Sequence, residues 1–225
     1  MSLYLSIIIP AYNEELTILS ILKKIHNLKL NINKEIIVID DCSSDQTHKI
    51  LLENQHLYSK LLRNSANKGK GYSIKKALKH AKGKYIIFQD ADLEYDPNDY
   101  IKFIDICNKF NPDLIIGSRI RYADYTRSHN FYNKIGNNLI TTIFNLRHNT
   151  TFTDIYSCYV LYKRDLLNFK ELKTNGFEQQ AEILKMIVKK GKLFYEVPIN
   201  YSGRTISEGK KIRWYSIFKV IYQIL

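Results

Sequence analysis

Residues 83–97 read GKYIIFQDADLEYDP. The first half is a short run of apolar, strand-forming residues. The second half crowds Asp90, Asp92, Glu94 and Asp96 into seven residues. Carboxylates this close repel one another, so the turn is either solvated or shares a cation. An Asp-x-Asp at a strand's end can hold Mg2+ or Mn2+ through oxygen and leave coordination sites for substrate phosphates. A metal there stabilises a diphosphate leaving group as its charge develops. What the rest of the chain places beside this turn decides between the two readings.

Outward from it, apolar runs alternate with helical patterns. LYLSIII (3–9) reads as a strand stopped by Pro10, and Asn13 can cap a helix from Glu14 to about His26. KEIIVID (34–40) is a second strand, after which Ser43, Ser44 or Asp45 can cap a helix. SKLLRN (59–64) is a third strand and NKGKGYSIKKALKHAK (67–82) a basic helix. GKYIIFQD (83–90) is the fourth strand, Pro97 opens a helix to about Phe110, and DLIIGSR (113–119) is the fifth. Strands apolar on both faces, alternating with helices, predict an α/β fold: a mostly parallel sheet with helices on both faces. In such sheets ligands bind beyond the carboxyl ends of the strands. PAYNEE, DDCSSD, DADLE and GSR all fall at those ends, on one edge of the sheet.

The alternation fades after residue 120. FYNKIGNNLITTIFNLR (131–147) places Ile135, Leu139, Ile143 and Phe144 on one helical stripe. DIYSCYVLYKRDLL (154–167), a helix around 176–190 and the strand KLFYEVPINY (192–201) follow. The chain of 225 residues, 45% apolar, suits a single domain, 1–225. Two halves are expected within it, 1–119 and 120–225, divided where the alternation fades. Four prolines and nine glycines mark no linker. Three well-separated cysteines suit a reducing compartment and show no metal-ligand spacing. No secretory signal is expected at the N-terminus, and no apolar run reaches the ~18–20 residues of a membrane span.

The net charge of +12 attracts anions: nucleic acid, anionic lipid or phosphorylated substrates. A nucleic-acid-binding module explains that charge but not the acidic strand edge, since carboxylates without metal repel phosphates. No nucleic-acid partner is expected. KGKGYSIKK lacks the Gly-Lys-Ser/Thr ending of a phosphate-binding loop and reads as a solvated basic face.

SIIIPAYNEE, VIDDCSSDQT, NKGKGYSIKKAL, QDADLEYDP and GSR resemble, in order and spacing, the family 2 glycosyltransferases of the GT-A fold. TDIYSCYVLYKRDLL, GFEQQAEIL and RTISEGKKIRW look like the branch containing dolichyl-phosphate mannosyltransferase and bacterial polyprenyl-phosphate glycosyltransferases. The resemblance covers essentially the whole chain. It implies an inverting hexosyltransferase that uses a nucleotide-diphosphate sugar, Mg2+ or Mn2+, and a polyprenyl or dolichyl phosphate acceptor. A glycan hydroxyl, as in surface-polysaccharide assembly, is the alternative acceptor.

Residue by residue, the resemblance implies that Pro10, Ala11, Tyr12 and Glu14 line the base and ribose, with Asp41 or Asp40 reading the base. Asp90 and Ala91 lie with the nucleotide-sugar, and Asp90 and Asp92 bind the metal and diphosphate. Glu94, where relatives often carry Gln, is a candidate third metal ligand. Arg119, Arg204 and Lys210 meet phosphates of donor or acceptor. Asp92, Arg119 and Glu178 are the catalytic candidates. Glu178 would act as base only for a hydroxyl acceptor, because a phosphate oxygen is already ionised at neutral pH. Relatives commonly have glycine where this chain has Cys42, Gln46 and Cys158.

A lipid acceptor implies a cytoplasmic protein, peripheral on the membrane's cytoplasmic face. In the tail, Lys210, Lys211, Arg213 and Lys219 can meet anionic headgroups. Trp214, Ile217, Phe218, Ile221 and Tyr222 form a candidate interfacial stripe. The same stripe can instead pack on the sheet or on a second copy of the chain, leaving a homo-oligomer open.

Overall fold

The computed structural model describes residues 4–121, 127, 131–204 and 216–224. Its centre is a seven-stranded sheet of order β3-β2-β1-β4-β6-β5-β7. The strands are β1 (Leu5–Ala11), β2 (Lys34–Asp40), β3 (Lys60–Arg63), β4 (Tyr85–Phe88), β5 (Leu114–Ser118), β6 (Val160–Lys163) and β7 (Phe194–Pro198). All pairings are parallel except those of β6, which runs antiparallel between β4 and β5.

In β1, Leu5, Ile7 and Ile9 point to one face and Ser6 and Ile8 to the other, and all five are buried. Both faces of the sheet are therefore covered, as continuous apolar runs require. The helices are α1 (Ile18–Asn27), α2 (Thr47–Glu53), α3 (Lys70–Leu78), α4 (Tyr100–Phe110), α5 (Phe131–His148), α6 (Gln179–Lys190) and α7 (Ser216–Ile224). α3 packs on β1 and β2, α1 lies against α2, and α5, α6 and α7 pack together beyond the parallel half.

Two local expectations change. β1 continues through Pro10 to Ala11 rather than stopping there; a proline lacks only the N–H, and Asp41 still donates its N–H to Ala11 O at 2.8 Å. Asn13 does not cap α1, which begins at Ile18. It takes a left-handed φ of 51° and its side-chain oxygen accepts the Ser44 N–H at 2.9 Å, tying the first two strand-end loops together. Cys42, in place of a relative's glycine, also takes a left-handed φ, 61°. That conformation costs a non-glycine residue roughly 1–2 kcal/mol.

The α5 stripe divides. Phe144 is buried, whereas Ile135 and Leu139 are about half exposed and join Phe131 and Leu146 on an outward face. On α7, Val220 and Ile224 turn inward and Tyr222 outward. Lys210, Lys211, Arg213 and Trp214 lie outside the described residues. Among the described residues no helix is long and apolar enough to cross a membrane.

Candidate active site

The carboxyl ends of β1, β2, β4 and β5 open onto one cavity of about 570 Å³. It is lined by Pro10, Ala11, Tyr12 and Glu14 after β1, Asp41 after β2, Asp90, Ala91, Asp92 and Glu94 after β4, and Arg119 after β5. Arg204, downstream of β7, lines it as well. These groups, distant in sequence, share one space because parallel strands put all their carboxyl ends on one edge.

At its floor, carboxylates meet two cations. Lys70, the first residue of α3, donates from Nζ to Asp90 Oδ1 at 2.5 Å and lies 3.8 Å from Cys158 Sγ. The Arg204 guanidinium is shared among three acids: Nη2 reaches Asp92 Oδ2 at 2.7 Å, Nη1 reaches Glu14 Oε2 at 3.3 Å, and Nε reaches Glu94 Oε1 at 3.3 Å. Burial, then the neighbouring Asp90 and Glu94, push the Asp92 carboxyl up to about 7, against the pull of Arg204. Burial opposes the charge on Lys70, yet the Asp90 carboxylate holds its pKa above the usual lysine value.

A third cation is held differently. Arg119 donates from Nε and Nη2 to the two oxygens of Asp154, at 2.7 and 2.8 Å, and from its backbone N–H at 3.0 Å. Asn137 of α5 adds a bond to Asp154 at 3.0 Å. Burial raises the pKa of Asp154, but Arg119 more than offsets it and holds the carboxyl below its ordinary range. The Arg119 guanidinium lies 5.1 Å over the Tyr201 ring.

At the end of β2, Asp41 grips the loop that enters α3. Its carboxylate accepts from Asn64 Nδ2 at 2.7 Å, Lys68 N at 2.9 Å and Gly69 N at 2.8 Å. Gly69 has a φ of +91°, and a Cβ there would lie 2.8 Å from Asn175 O. Glycine is thus required both for the turn and for the close approach of the 175–176 backbone.

Several sequence candidates sit elsewhere. Asp40 faces away from the cavity; it is fully buried, pairs with Arg63 at 3.1 Å and His48 at 3.0 Å, and accepts the Ser43 N–H. Glu178 is not among the lining residues: it accepts the Gly176 N–H at 3.2 Å just ahead of α6. Glu94 is committed to Arg204 and to the Tyr201 hydroxyl, at 2.7 Å, and does not converge with Asp90 and Asp92 as a third ligand. Lys210 lies outside the described residues. Conversely, Lys70 belongs to the site, although its run reads as a solvated face. Its place at the first turn of a helix entering the strand-end edge was the available signal. Asp154, Tyr95 and Tyr201 carried no sequence signal, because each depends on a partner far along the chain.

Among the described residues no three metal-ligating side chains form a ready-made cage. The donor set nevertheless fits a hard divalent cation: Asp90 and Asp92 are oxygen ligands on one turn, and burial, then the charges of Asp90 and Glu94, make the ionised form of Asp92 costly until a cation is held there. Asp90 and Asp92 would hold the ion, with substrate phosphates completing its shell.

The profile described as glycosyl transferase family 2 matches residues 6–169. An uncharacterized protein of Methanocaldococcus jannaschii is 32% identical over 213 residues, covering 89% of this chain and 90% of its own length. A dolichol-phosphate mannosyltransferase of Pyrococcus furiosus is 30% identical over 223 residues; the match covers 97% of this chain but 62% of that longer protein. Among solved structures, glucosyl-3-phosphoglycerate synthase from Mycobacterium tuberculosis, in complex with Mn2+, UDP and glucosyl-3-phosphoglycerate, superposes with a TM-score of 0.71 at 18% identity. That superposition covers 98% of this chain and 78% of the other.

Proposed function

The chain belongs to glycosyl transferase family 2, and from that premise we propose that it transfers a sugar, with inversion, from a nucleoside diphosphate to a polyprenyl or dolichyl phosphate. The observation that carries the acceptor reading is the mixed lining of the cavity. Beside Lys70, Arg119 and Arg204, which suit phosphates, it is lined by Ile140 of α5, Ile183 of α6 and Val220 of α7. Cations flanked by aliphatic side chains suit a phosphate that carries a hydrocarbon chain. The similarity to a dolichol-phosphate mannosyltransferase supports the same class.

In this reading Pro10, Ala11, Tyr12, Glu14, Asp41 and Ala91 receive the nucleoside. Asp90 and Asp92 hold Mg2+ or Mn2+, as suits a fold shared with an enzyme solved with Mn2+ and UDP. A cation held there would supply positive charge to the departing diphosphate. An acceptor phosphate oxygen forms the new bond to the anomeric carbon as the bond to the diphosphate breaks on the opposite face. Arg119, fixed by Asp154, orients that acceptor phosphate, and Lys70 and Arg204 are the cations nearest the donor phosphates. No general base is required, which agrees with Glu178 lying outside the cavity lining.

The bilayer is reached from the surface. Phe131, Ile135, Leu139 and Leu146 on α5 and Tyr222 on α7 are exposed, with Lys134, Arg147 and Lys219 exposed among them. Apolar side chains flanked by cations suit an anionic interface, here the cytoplasmic leaflet.

The test is a donor panel with Mn2+ or Mg2+ and a short-chain polyprenyl phosphate, the product identified by mass spectrometry, alongside flotation with anionic liposomes. A glycosylated lipid phosphate is the expected product. Transfer to a water-soluble glycan instead, by a chain that floats with no lipid, overturns the acceptor reading and favours a glycan hydroxyl.

A further inference from the structure

Gln89 is the first residue after β4 and is fully buried. Its N–H continues the ladder to Ile8 O at 3.0 Å. Its side-chain oxygen accepts two short hydrogen bonds, from Tyr100 OH of α4 and Tyr159 OH ahead of β6, each 2.7 Å. Its amide nitrogen donates to the main-chain carbonyl of Asp90 at 3.0 Å. An uncharged primary amide offers both a two-fold acceptor and a donor; a hydrocarbon offers neither, and a carboxylate lacks the donor. Burying a polar group here without partners would cost free energy, so the three bonds specify this residue.

Both tyrosines lead back to the cavity. The Tyr159 ring lies 5.3 Å from Tyr100 and 4.9 Å from Tyr95, and Tyr95 lies 4.9 Å from Tyr201. Tyr95 OH accepts the Cys158 N–H at 3.0 Å. Gln89 thus joins α4 and the cavity wall at Cys158 to the peptide that begins the carboxylate turn. The Asp90–Ala91 peptide lies between the two carboxylate residues, so holding its carbonyl fixes the backbone that sets Asp90 and Asp92 relative to one another.

We propose that Gln89 is a positioning residue: by anchoring the Asp90 carbonyl it aims Asp90 and Asp92 and so sets the affinity for the divalent cation and for the nucleoside diphosphate bound with it. This rests on the metal and donor assignments proposed above. It requires no contact between Gln89 and substrate.

The experiment compares Gln89→Met, which removes all three side-chain bonds at similar length, with Tyr159→Phe, which removes one but leaves the bond to Asp90. The full chain is used. Melting temperature, Mn2+ affinity by electron paramagnetic resonance, and UDP and GDP affinity by calorimetry, with Mn2+ and with chelator, are measured for each. Gln89→Met is expected to weaken Mn2+ binding by roughly tenfold or more, the range found when groups orienting metal ligands are lost. It should also lose the Mn2+-dependent gain in nucleotide affinity. Tyr159→Phe should keep both within about twofold while losing stability of the size expected for one hydrogen bond. Should Gln89→Met fail to fold, Gln89→Asn, which keeps the amide but shortens its reach, is expected to show the same loss in milder form. Mn2+ affinity that is unchanged in the Gln89 variant, or falls equally in Tyr159→Phe, overturns the inference and leaves Gln89 as core. A wild-type chain that binds nucleotide equally well in chelator instead overturns the metal assignment on which it rests.

Discussion

Arg119 and Arg204 both enter one cavity, but their surroundings are opposite. Among the described residues Arg119 has a single carboxylate, Asp154, which meets it through two parallel bonds and is itself fixed by Asn137. Arg204 is divided among Glu14, Asp92 and Glu94, and Asp90 stands nearby on Lys70. Among the described residues, two cations thus answer four acids there. The acids record the difference: Asp154 is held below its ordinary pKa, whereas Asp92 is pushed up to about 7. A carboxylate with a depressed pKa stabilises the fold it sits in. One with a raised pKa is kept at a cost, and that cost is relieved by whatever positive charge the site is built to receive.

The comparison breaks most severely at Asp154. Asp154→Asn leaves Arg119 buried without its counter-charge, a loss of roughly 3–5 kcal/mol in stability, measured by urea denaturation. Because the pKa of Asp154 is lowered from 3.8 in the folded chain, its contribution is complete above that value and fades as pH falls through the folded pKa. Acid unfolding of the wild type should show this loss below pH 3.8, and Asp154→Asn should lack that portion of the slope. An Asn variant as stable as the wild type would make the pair dispensable.

Asp92 should behave in the reverse way. Asp92→Ala is expected to lower transfer by roughly a hundredfold to a thousandfold, the usual effect of losing one electrostatic group at a reacting centre. Its metal-free melting temperature should be unchanged or higher, because a strained charge has been removed. Chelator should reduce the wild type to the same residual rate. A variant that melts well below the wild type but transfers sugar normally would reverse the roles assigned to the two acids.

How much of this contrast the sequence reveals depends on how local each signal is. PAYNEE, DDCSSD, DADLE and GSR each follow an apolar run, so strand-and-helix alternation alone gathers Tyr12, Asp41, Asp90, Asp92 and Arg119 on one edge. β6 is different: nothing in YVLYK states that it inserts antiparallel between β4 and β5, since pairing across that distance depends on the finished sheet. Asp154 shares this difficulty, because its role is defined by Arg119, 35 residues away. Lys70 reads as one lysine in a basic helix, and only the geometry separates it from Lys75 and Lys76. Glu178 and Asp40 carry the right chemistry in the right neighbourhood. Their side chains are taken instead by Gly176 N–H and by Arg63 with His48.

Arg204→Met removes the cation common to three acids. Transfer should fall by roughly tenfold to a hundredfold, in line with about 1.5–3 kcal/mol for hydrogen bonds to charged groups. The metal-free protein should also melt lower, because Glu14, Asp92 and Glu94 then face one another. Mn2+ should recover part of that melting temperature. Recovery is the informative quantity: it is expected for Arg204→Met and not for Asp154→Asn, since a cation in the carboxylate turn cannot replace a lost acid beside Arg119. Equal recovery in both would remove the distinction between the two arginines.

The smallest effect is expected at Glu94, and it sharpens the comparison most finely. Glu94 Oε1 accepts from the Arg204 backbone N–H at 2.8 Å and from Nε at 3.3 Å, while Oε2 accepts from Tyr201 OH at 2.7 Å. Its own carbonyl accepts the Ser202 N–H at 2.9 Å. Glu94 therefore anchors the segment that carries Arg204. Glutamine can do the same: its oxygen accepts from Arg204, and its amide can donate to a tyrosine hydroxyl that turns to accept. Glu94→Gln should thus change transfer by less than about threefold, below ~1 kcal/mol, with Mn2+ affinity nearly unchanged. Glu94→Ala, which removes the anchor, should approach the Arg204→Met result. If Glu94 were a metal ligand, Glu94→Gln would weaken Mn2+ binding by an order of magnitude and the alanine variant would be little worse. The order of the two variants in a Mn2+ titration therefore separates an acid that holds the arginine from one that holds the ion.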